Sequence, residues 1–189
     1  MKLLASILLL ITSSFVFSLS FAKGPEKFYD LTANDLNGKK INFSDYQGKV
    51  VLIVNTASQC GFTPQLNDLE VIHQKYGSKG LVVLGFPSND FKQESGVGQE
   101  IQKFASDKYK ISFPLFEKGP VTGSDKQPVY KFLTDQKSGV IFKEVAWNFE
   151  KFLVSRKGEV VERWSSMTKP TSDSMIKAIE KELAVNEKH

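Results

Sequence analysis

The pattern of apolar and polar positions is clearest in the middle of the chain. Near-continuous apolar runs cover Val50–Val54, closed by Asn55, and Leu81–Phe86, and each is bounded by turn residues. Short runs rich in Val, Ile and Leu are typical of strands buried on both faces, as in parallel sheets. Between them, apolar residues recur at helical spacing and stop before two glycines: Leu66, Leu69, Ile72 and Tyr76, then Gly77 and Gly80. The pattern predicts a strand, a helix and a second, parallel strand joined by a right-handed crossover.

Two β-hairpins are predicted, one on each side of this unit. Two short alternating runs between Phe28 and Phe43 surround Asn37-Gly38, a dipeptide that strongly favours a hairpin turn. Further along, Phe149–Ser155 and Glu159–Trp164 flank the turn residues Arg156-Lys157-Gly158. The second half of the chain should therefore contribute an antiparallel pair of strands.

Three further helices complete the predicted elements. One covers Gln99–Tyr109, another begins in Pro128–Leu133, and the last covers Ser172–Leu183 with Asp173 in its first turn. Parallel strands in one half and antiparallel strands in the other predict a central mixed β-sheet flanked by helices, with an N-terminal β-hairpin. This is the α/β plan of a thioredoxin-like fold.

The first 22 residues differ from the rest. Met1-Lys2 gives a positive start, Leu3–Phe21 is apolar or hydroxylic, and Ser20-Phe21-Ala22 ends in the small residues that a signal peptidase reads. These features predict a signal peptide over 1–22 and one domain over 23–189, in a secreted or periplasmic protein. An uncleaved membrane anchor is the alternative, but serines dilute the apolar run, and we expect no stable membrane insertion after signal removal.

Composition and charge argue against three classes of protein: disordered chains, nucleic-acid-binding proteins and metalloproteins. The 189 residues are 41% hydrophobic and 24% charged, which indicates a globular domain and not a disordered chain. The net charge is +4, but basic and acidic residues alternate without a basic stripe, so we expect no nucleic-acid partner. With one cysteine and no cluster of His, Asp and Glu, we expect no metal site.

The only cysteine, Cys60, lies in the turn between the first buried strand and its helix. Pro64 fits the first helical position and Thr63 fits the cap, so Cys60 should precede a helix N-terminus, which favours its thiolate. A lone cysteine cannot form an internal disulfide. It is a buried and inert thiol, an intermolecular partner or a reactive thiol, and the residues alone leave all three open.

Four motifs follow one another along the chain: Asn55-Thr56-Ala57-Ser58-Gln59-Cys60-Gly61-Phe62-Thr63; Gly85-Phe86-Pro87-Ser88-Asn89-Asp90-Phe91 with Gln93-Glu94; Phe113-Pro114-Leu115-Phe116-Glu117-Lys118; and Trp147-Asn148-Phe149-Glu150-Lys151-Phe152-Leu153-Val154. In this order they resemble the motifs of the glutathione peroxidases, and the resemblance runs from Phe28 to Leu183, nearly the whole predicted domain.

The resemblance implies a peroxidase whose catalytic residues are Cys60, Gln93, Trp147 and Asn148. A thiolate attacks one peroxide oxygen, forms a sulfenic acid and expels water or an alcohol. Neutral amide and indole N–H donors stabilise the thiolate and the charge on the departing oxygen. Taken one at a time, Trp147 could be a core aromatic, Asn148 a turn residue and Gln93 a solvated loop residue.

The loop before Gln93 departs from the family pattern. The family usually has two residues between the motif Phe and its Gln, whereas only Lys92 separates Phe91 from Gln93 here. Asn89 and Gln99 therefore remain alternatives for the amide donor.

The resemblance also bears on the reductant. Family members that use thioredoxin carry a resolving cysteine near Phe104–Ser106, where this chain has Ala105, and Ser88 stands where another family cysteine often occurs. The oxidised Cys60 would be reduced by glutathione or another external thiol as co-substrate, with no bound cofactor. The short Lys137–Ala146 connection resembles the compact phospholipid-hydroperoxide branch, so we expect a monomer with an open site for bulky lipid hydroperoxides.

Two other functions share the expected fold. A thiol–disulfide oxidoreductase needs a second cysteine three positions after the first, and Thr63 occupies that position. A peroxide sensor or thiol-binding module with little or no turnover would keep the fold and use Cys60 to form mixed disulfides. The sequence does not separate that module from a slow enzyme.

Overall fold

A computed structural model describes residues 27–139 and 141–185. The elements, in chain order, are β1 (Thr32–Asn34), β2 (Lys40–Asn42), β3 (Val50–Thr56), α1 (Gln65–Gly77), β4 (Leu81–Pro87), α2 (Gly98–Tyr109), α3 (Pro128–Gln136), β5 (Lys151–Val154), β6 (Val160–Trp164) and α4 (Asp173–Ala184). Short 3-10 turns lie at Phe28–Asp30 and Phe43–Tyr46. The signal-peptide prediction for 1–22 lies outside the described residues.

The central sheet has the strand order β4-β3-β5-β6. Strands β3 and β4 are parallel over their full length, from Val50 opposite Leu81 to Thr56 opposite Pro87. Strand β5 is antiparallel to both β3 and β6. The prediction of a mixed sheet is therefore confirmed, and β1 and β2 form the predicted N-terminal hairpin as a separate antiparallel pair.

The sheet is covered on both faces, which explains the continuous apolar runs. All seven residues of β3 are buried. Val50, Leu52 and Val54 belong to a core formed with α1, α2 and α4, whereas Val51 and Ile53 belong to a second core formed with α3 and the N-terminal aromatic residues. Successive side chains of a strand point to opposite faces of the sheet. Because a core covers each face, apolar residues are needed at consecutive positions and not only at alternate ones.

No helix within residues 27–139 and 141–185 is long and apolar enough to cross a membrane. Strand β3 is central in the sheet and ends at Thr56, four residues before Cys60.

Candidate active site

Cys60 lies in the turn that joins β3 to α1, and its side chain is largely buried. Its backbone N–H donates to the Thr63 hydroxyl (3.1 Å), and that hydroxyl donates to the Ala57 carbonyl oxygen (2.8 Å). The backbone N–H of Phe62 donates to the Cys60 Sγ atom at 3.4 Å. The sulfur therefore accepts a hydrogen bond from the turn that holds it.

The prediction that Thr63 caps the helix is wrong. Helix α1 begins at Gln65, Pro64 is its N-cap, and no side chain caps it. The Thr63 hydroxyl is used inside the Cys60 turn, where it accepts from Cys60 and donates to Ala57. Thr63 thus stabilises the turn that holds the Cys60 sulfur and not the helix that follows it.

Gln93 and Asn148 are brought together although 55 residues separate them, because the Asn148 Nδ2 atom donates to the Gln93 Oε1 atom at 2.9 Å. The Gln93 backbone oxygen accepts from the N–H of Gln59 (3.0 Å), the residue before Cys60. The bond to Asn148 uses the Gln93 side-chain carbonyl oxygen, and the Gln93 Nε2 atom makes no hydrogen bond within 27–139 and 141–185. The Gln93 loop is therefore bonded both to Asn148 and to the residue before Cys60.

Gln93 reaches Asn148 although its loop is one residue shorter than the family pattern. Lys92 takes a left-handed conformation (φ 59°), and its N–H donates to the Asn89 carbonyl oxygen (2.9 Å). The Asn89 side chain accepts from the N–H of Glu94, and Gln99 is exposed at the start of α2. Of the three amides considered from the sequence, Gln93 is the one that contacts Asn148.

Trp147 is 42% exposed and therefore is not a core aromatic. Its ring packs against Phe91 with centroids 5.2 Å apart. Phe91 precedes Gln93 in the same loop, so this contact joins the Trp147 segment and the Gln93 loop at the surface, next to the bond between their amides. Asn148 by contrast is fully buried, and its Oδ1 atom has no hydrogen-bond partner among the described residues.

Sequence reasoning missed the residues that hold these loops in place. Glu94 is 2% exposed, and its carboxylate accepts from the Ser58 backbone N–H (2.8 Å), the Ser58 hydroxyl (2.9 Å) and the Gly96 N–H (3.1 Å). It thereby ties the Gln93 loop to the segment before Cys60. Glu94 lies in a motif that carried the family resemblance, but the motif does not reveal its partners.

A buried ion pair between Glu150 and Arg163 supports the segment that carries Trp147. Glu150 accepts from the Arg163 guanidinium (2.8 Å) and from the Ala146 N–H (2.7 Å), and both charged side chains are less than a tenth exposed. Arg163 also donates to the carbonyl oxygens of Lys143 and Glu144. The pair fixes both ends of the segment between 143 and 150.

Lys151 follows Glu150 and is fully buried. Its Nζ atom donates to the carbonyl oxygen of Thr168 (2.6 Å) and more weakly to those of Ser165 and Ser166 (3.4 Å each). Burial lowers the pKa of Lys151 to about 7, and the carboxylates of Glu150 and Asp68 oppose that shift.

His73 has no place in the site. It is half-buried on α1 with its ring edge against Phe113, and desolvation lowers its pKa despite the nearby Glu70. The other histidine, His189, lies outside the described residues. Within 27–139 and 141–185 no group of three or more His, Cys, Asp or Glu side chains could hold a metal ion.

Comparisons with known proteins identify the family of this chain. The family model described as Glutathione peroxidase matches residues 28–134. Glutathione peroxidase-like peroxiredoxin 2 of Saccharomyces cerevisiae is 51% identical over 147 residues, which cover 77% of this chain and 91% of that protein. Hydroperoxy fatty acid reductase gpx1 of Synechocystis sp. is 44% identical over 167 residues, covering 85% and 98%. Among solved structures, "Crystal structure of Trgpx in apo form" matches with a TM-score of 0.68 and 37% identity, covering 84% of this chain and 96% of that one. The fold is thioredoxin-like.

Proposed function

Since this chain belongs to the glutathione peroxidase family and is a thiol-dependent peroxidase, we propose that Cys60 is the residue that peroxide oxidises. Gln93, Trp147 and Asn148 surround the reaction with neutral donors. The observation that carries this assignment is the Asn148–Gln93 hydrogen bond, formed beside the Cys60 turn by a loop bonded to Gln59.

The reaction starts with the Cys60 thiolate, which the Phe62 N–H stabilises. The Sγ atom attacks one peroxide oxygen, the O–O bond breaks, and the second oxygen leaves as an alcohol or water after taking a proton. The Gln93 Nε2 and Trp147 indole N–H groups donate to the charge that develops on the departing oxygen. Asn148 orients Gln93 by holding its carbonyl oxygen.

Reduction of the sulfenic acid needs two external thiols, because the sequence contains one cysteine. The first thiol condenses with the sulfenic acid, releases water and leaves a mixed disulfide. The second attacks that disulfide, frees Cys60 and leaves as a small-molecule disulfide. We propose glutathione or another low-molecular-weight thiol as the reductant, with no bound cofactor, and hydrogen peroxide and lipid hydroperoxides as the oxidants.

Two features support lipid hydroperoxides among the substrates. The partly exposed Trp147 and its neighbour Phe91 offer an apolar surface beside the amide donors. A relative that aligns over nearly its whole length is named a hydroperoxy fatty acid reductase. A higher kcat/KM for a fatty acid hydroperoxide than for hydrogen peroxide would support this preference, and a lower one would count against it.

The decisive experiment treats the reduced protein with stoichiometric peroxide and follows Cys60 by mass spectrometry. We expect a sulfenic acid that dimedone traps, and turnover when glutathione is added. Cys60→Ser should lose both while keeping the fold. An unoxidised Cys60 would refute the peroxidase site, and turnover with thioredoxin but not with small thiols would refute only the proposed reductant. Oxidation followed by stable mixed disulfides without turnover would favour the sensor function instead.

The export of the protein and its state as a monomer complete the proposal. We propose that 1–22 is a signal peptide and that the domain over 23–189 acts as a monomer outside the cytoplasm. N-terminal sequencing of protein from a periplasmic or secreted fraction should begin near Lys23, and light scattering should give the mass of one chain. An intact Met1 in that fraction would contradict the cleavage.

A further inference from the structure

Asn55 is fully buried at the end of β3 and is bonded three times to the segment that carries Trp147 and Asn148. Its Nδ2 atom donates to the Trp147 carbonyl oxygen (3.0 Å), and its Oδ1 atom accepts from the Glu150 N–H (2.9 Å). Its backbone oxygen accepts from the Phe149 N–H at 2.7 Å. One residue of β3 thus contacts the backbone on both sides of Asn148.

These bonds begin where ordinary strand pairing ends. The ladder between β3 and β5 closes with Val54 opposite Lys151. At the next position the Asn55 side chain bonds to Glu150 and then to Trp147, beyond the last pair of the ladder. Beyond that pair, the segment is held to β3 by the Asn55 side-chain amide together with the Phe149 N–H bond to the Asn55 backbone oxygen.

The segment needs such a support because its backbone is unusual. Phe149 is a fully buried aromatic residue with φ 63°, a left-handed conformation that bulky side chains rarely adopt. Conformations of this kind persist when surrounding contacts determine them, and they are common at functional sites. The bend at Phe149 lets Asn148 meet Gln93 while the following residues enter β5.

We infer that Asn55 is a positioning residue of the peroxidase reaction, whose side-chain amide holds Trp147 and Asn148 in register with Cys60. The inference rests on the proposed function, since it assigns Asn55 a role through residues of that site. Asn55 is the penultimate residue of β3 and Cys60 lies four residues beyond its end, so the same end of β3 positions both the sulfur and the segment that carries Trp147 and Asn148.

The chemistry demands an amide of this length. One planar group must donate to the Trp147 oxygen and accept from the Glu150 nitrogen at the same time. An ionised Asp would turn an oxygen toward the Trp147 carbonyl, which repels it. A protonated Asp would restore the donor, because its O–H takes the place of the amide N–H.

That property gives a test that a purely structural role would not pass. The second-order rate of Cys60 oxidation by hydrogen peroxide is measured in single turnover for the full chain, Asn55→Asp and Asn55→Ala, from pH 5.5 to 8.5. We expect both variants to be slower by about 10- to 100-fold at pH 8, since small displacements of catalytic groups cost rates of that order. The rate of Asn55→Asp relative to the unmodified chain should recover as the pH falls, whereas that of Asn55→Ala should stay low. The Glu150–Arg163 pair and Lys151 are common to all three proteins. Burial lowers the pKa of Lys151 to about 7, so Lys151 titrates within this range, and Asn55→Ala records its effect on the rate without a new carboxyl group.

A matched control separates position from stability. Thr134 is also fully buried and donates to a carbonyl oxygen, that of Tyr130 (2.8 Å), within α3, which covers the face of the sheet opposite α1 and Cys60. Thr134→Val should lower the urea midpoint but leave the oxidation rate unchanged. In a Trp164→Phe background Trp147 is the only indole, and Asn55→Ala should make it more accessible to acrylamide.

Each outcome decides the inference. Wild-type rates in both Asn55 variants, or equal pH profiles for Asn55→Asp and Asn55→Ala, would overturn it. If Asn55→Ala does not fold, the pH recovery of Asn55→Asp remains the test. Failure of the proposed function is distinct, because Cys60 of the unmodified chain would then resist peroxide.

Discussion

Replacing Lys151 by methionine should remove one source of pH-dependent stability from this protein. Lys151 is fully buried in β5, and its Nζ atom donates to the backbone oxygens of Ser165, Ser166 and Thr168, its hydrogen-bond partners within residues 27–139 and 141–185. Methionine is also unbranched and flexible, so it can follow the same path through the core without a charge. The substitution isolates the effect of the buried charge.

The magnitude follows from the pKa of Lys151, which burial lowers from 10.5 to about 7. Between these values the unfolded chain holds the proton and the folded chain has released it, so the free energy of unfolding rises with pH. One proton gives a slope of about 1.4 kcal/mol per pH unit, so stability should rise by about 2–3 kcal/mol from pH 7.5 to 9.5. The stability gained at high pH is complete above the unfolded pKa of 10.5, declines as the pH falls from there, and is gone below the folded pKa of about 7.

Urea unfolding at pH 7.5 and 9.5, followed by tryptophan fluorescence under reducing conditions, measures this change. The unmodified protein should gain about 2–3 kcal/mol more than Lys151→Met between the two pH values. Lys131→Met, at an exposed position of α3, should behave like the unmodified protein. Equal pH dependence in all three proteins would show that Lys151 keeps its proton in the folded state, and the reasoning from burial would be refuted.

Three further substitutions test the contacts around the site. Trp147→Phe keeps an aromatic ring against Phe91 but loses the indole donor. The rate of Cys60 oxidation should therefore fall by about tenfold or more while the circular dichroism spectrum stays unchanged. An unchanged rate would exclude the indole as a donor. Glu94→Gln replaces one of the carboxylate oxygens that accept three hydrogen bonds, so urea unfolding should show a loss of about 1–3 kcal/mol together with slower oxidation; full stability would mean that the amide reproduces those bonds. Arg163→Met leaves the Glu150 carboxylate buried without its cation and should cost about 3–5 kcal/mol by the same assay; a loss below about 1 kcal/mol would show that water reaches the carboxylate.

The elements of the fold could be predicted because each depends on local pattern. Strands β3 and β4 are buried at every position, and the continuous apolar runs of Val50–Val54 and Leu81–Phe86 report that directly. The hairpin at Asn37-Gly38 follows from turn chemistry, and Gly38 takes the positive φ (80°) that such a turn needs. The predicted start of α1 at Pro64 is one residue too early, because the Thr63 hydroxyl bonds within the Cys60 turn and does not cap the helix.

The site divides in the same way. Local pattern places the single cysteine in the turn after a buried strand, and the resemblance of four ordered motifs to the glutathione peroxidases implies Gln93, Trp147 and Asn148 as the residues around it. The three-dimensional fold is needed to show that the shortened loop still brings Gln93 to Asn148, and that Asn55 and Glu94 support the two loops. Apolar periodicity indicates which face of an element is buried, whereas the partner of a buried polar side chain comes from a distant part of the chain. Asn55 meets the Trp147 backbone across 92 residues, and no local pattern encodes that pairing.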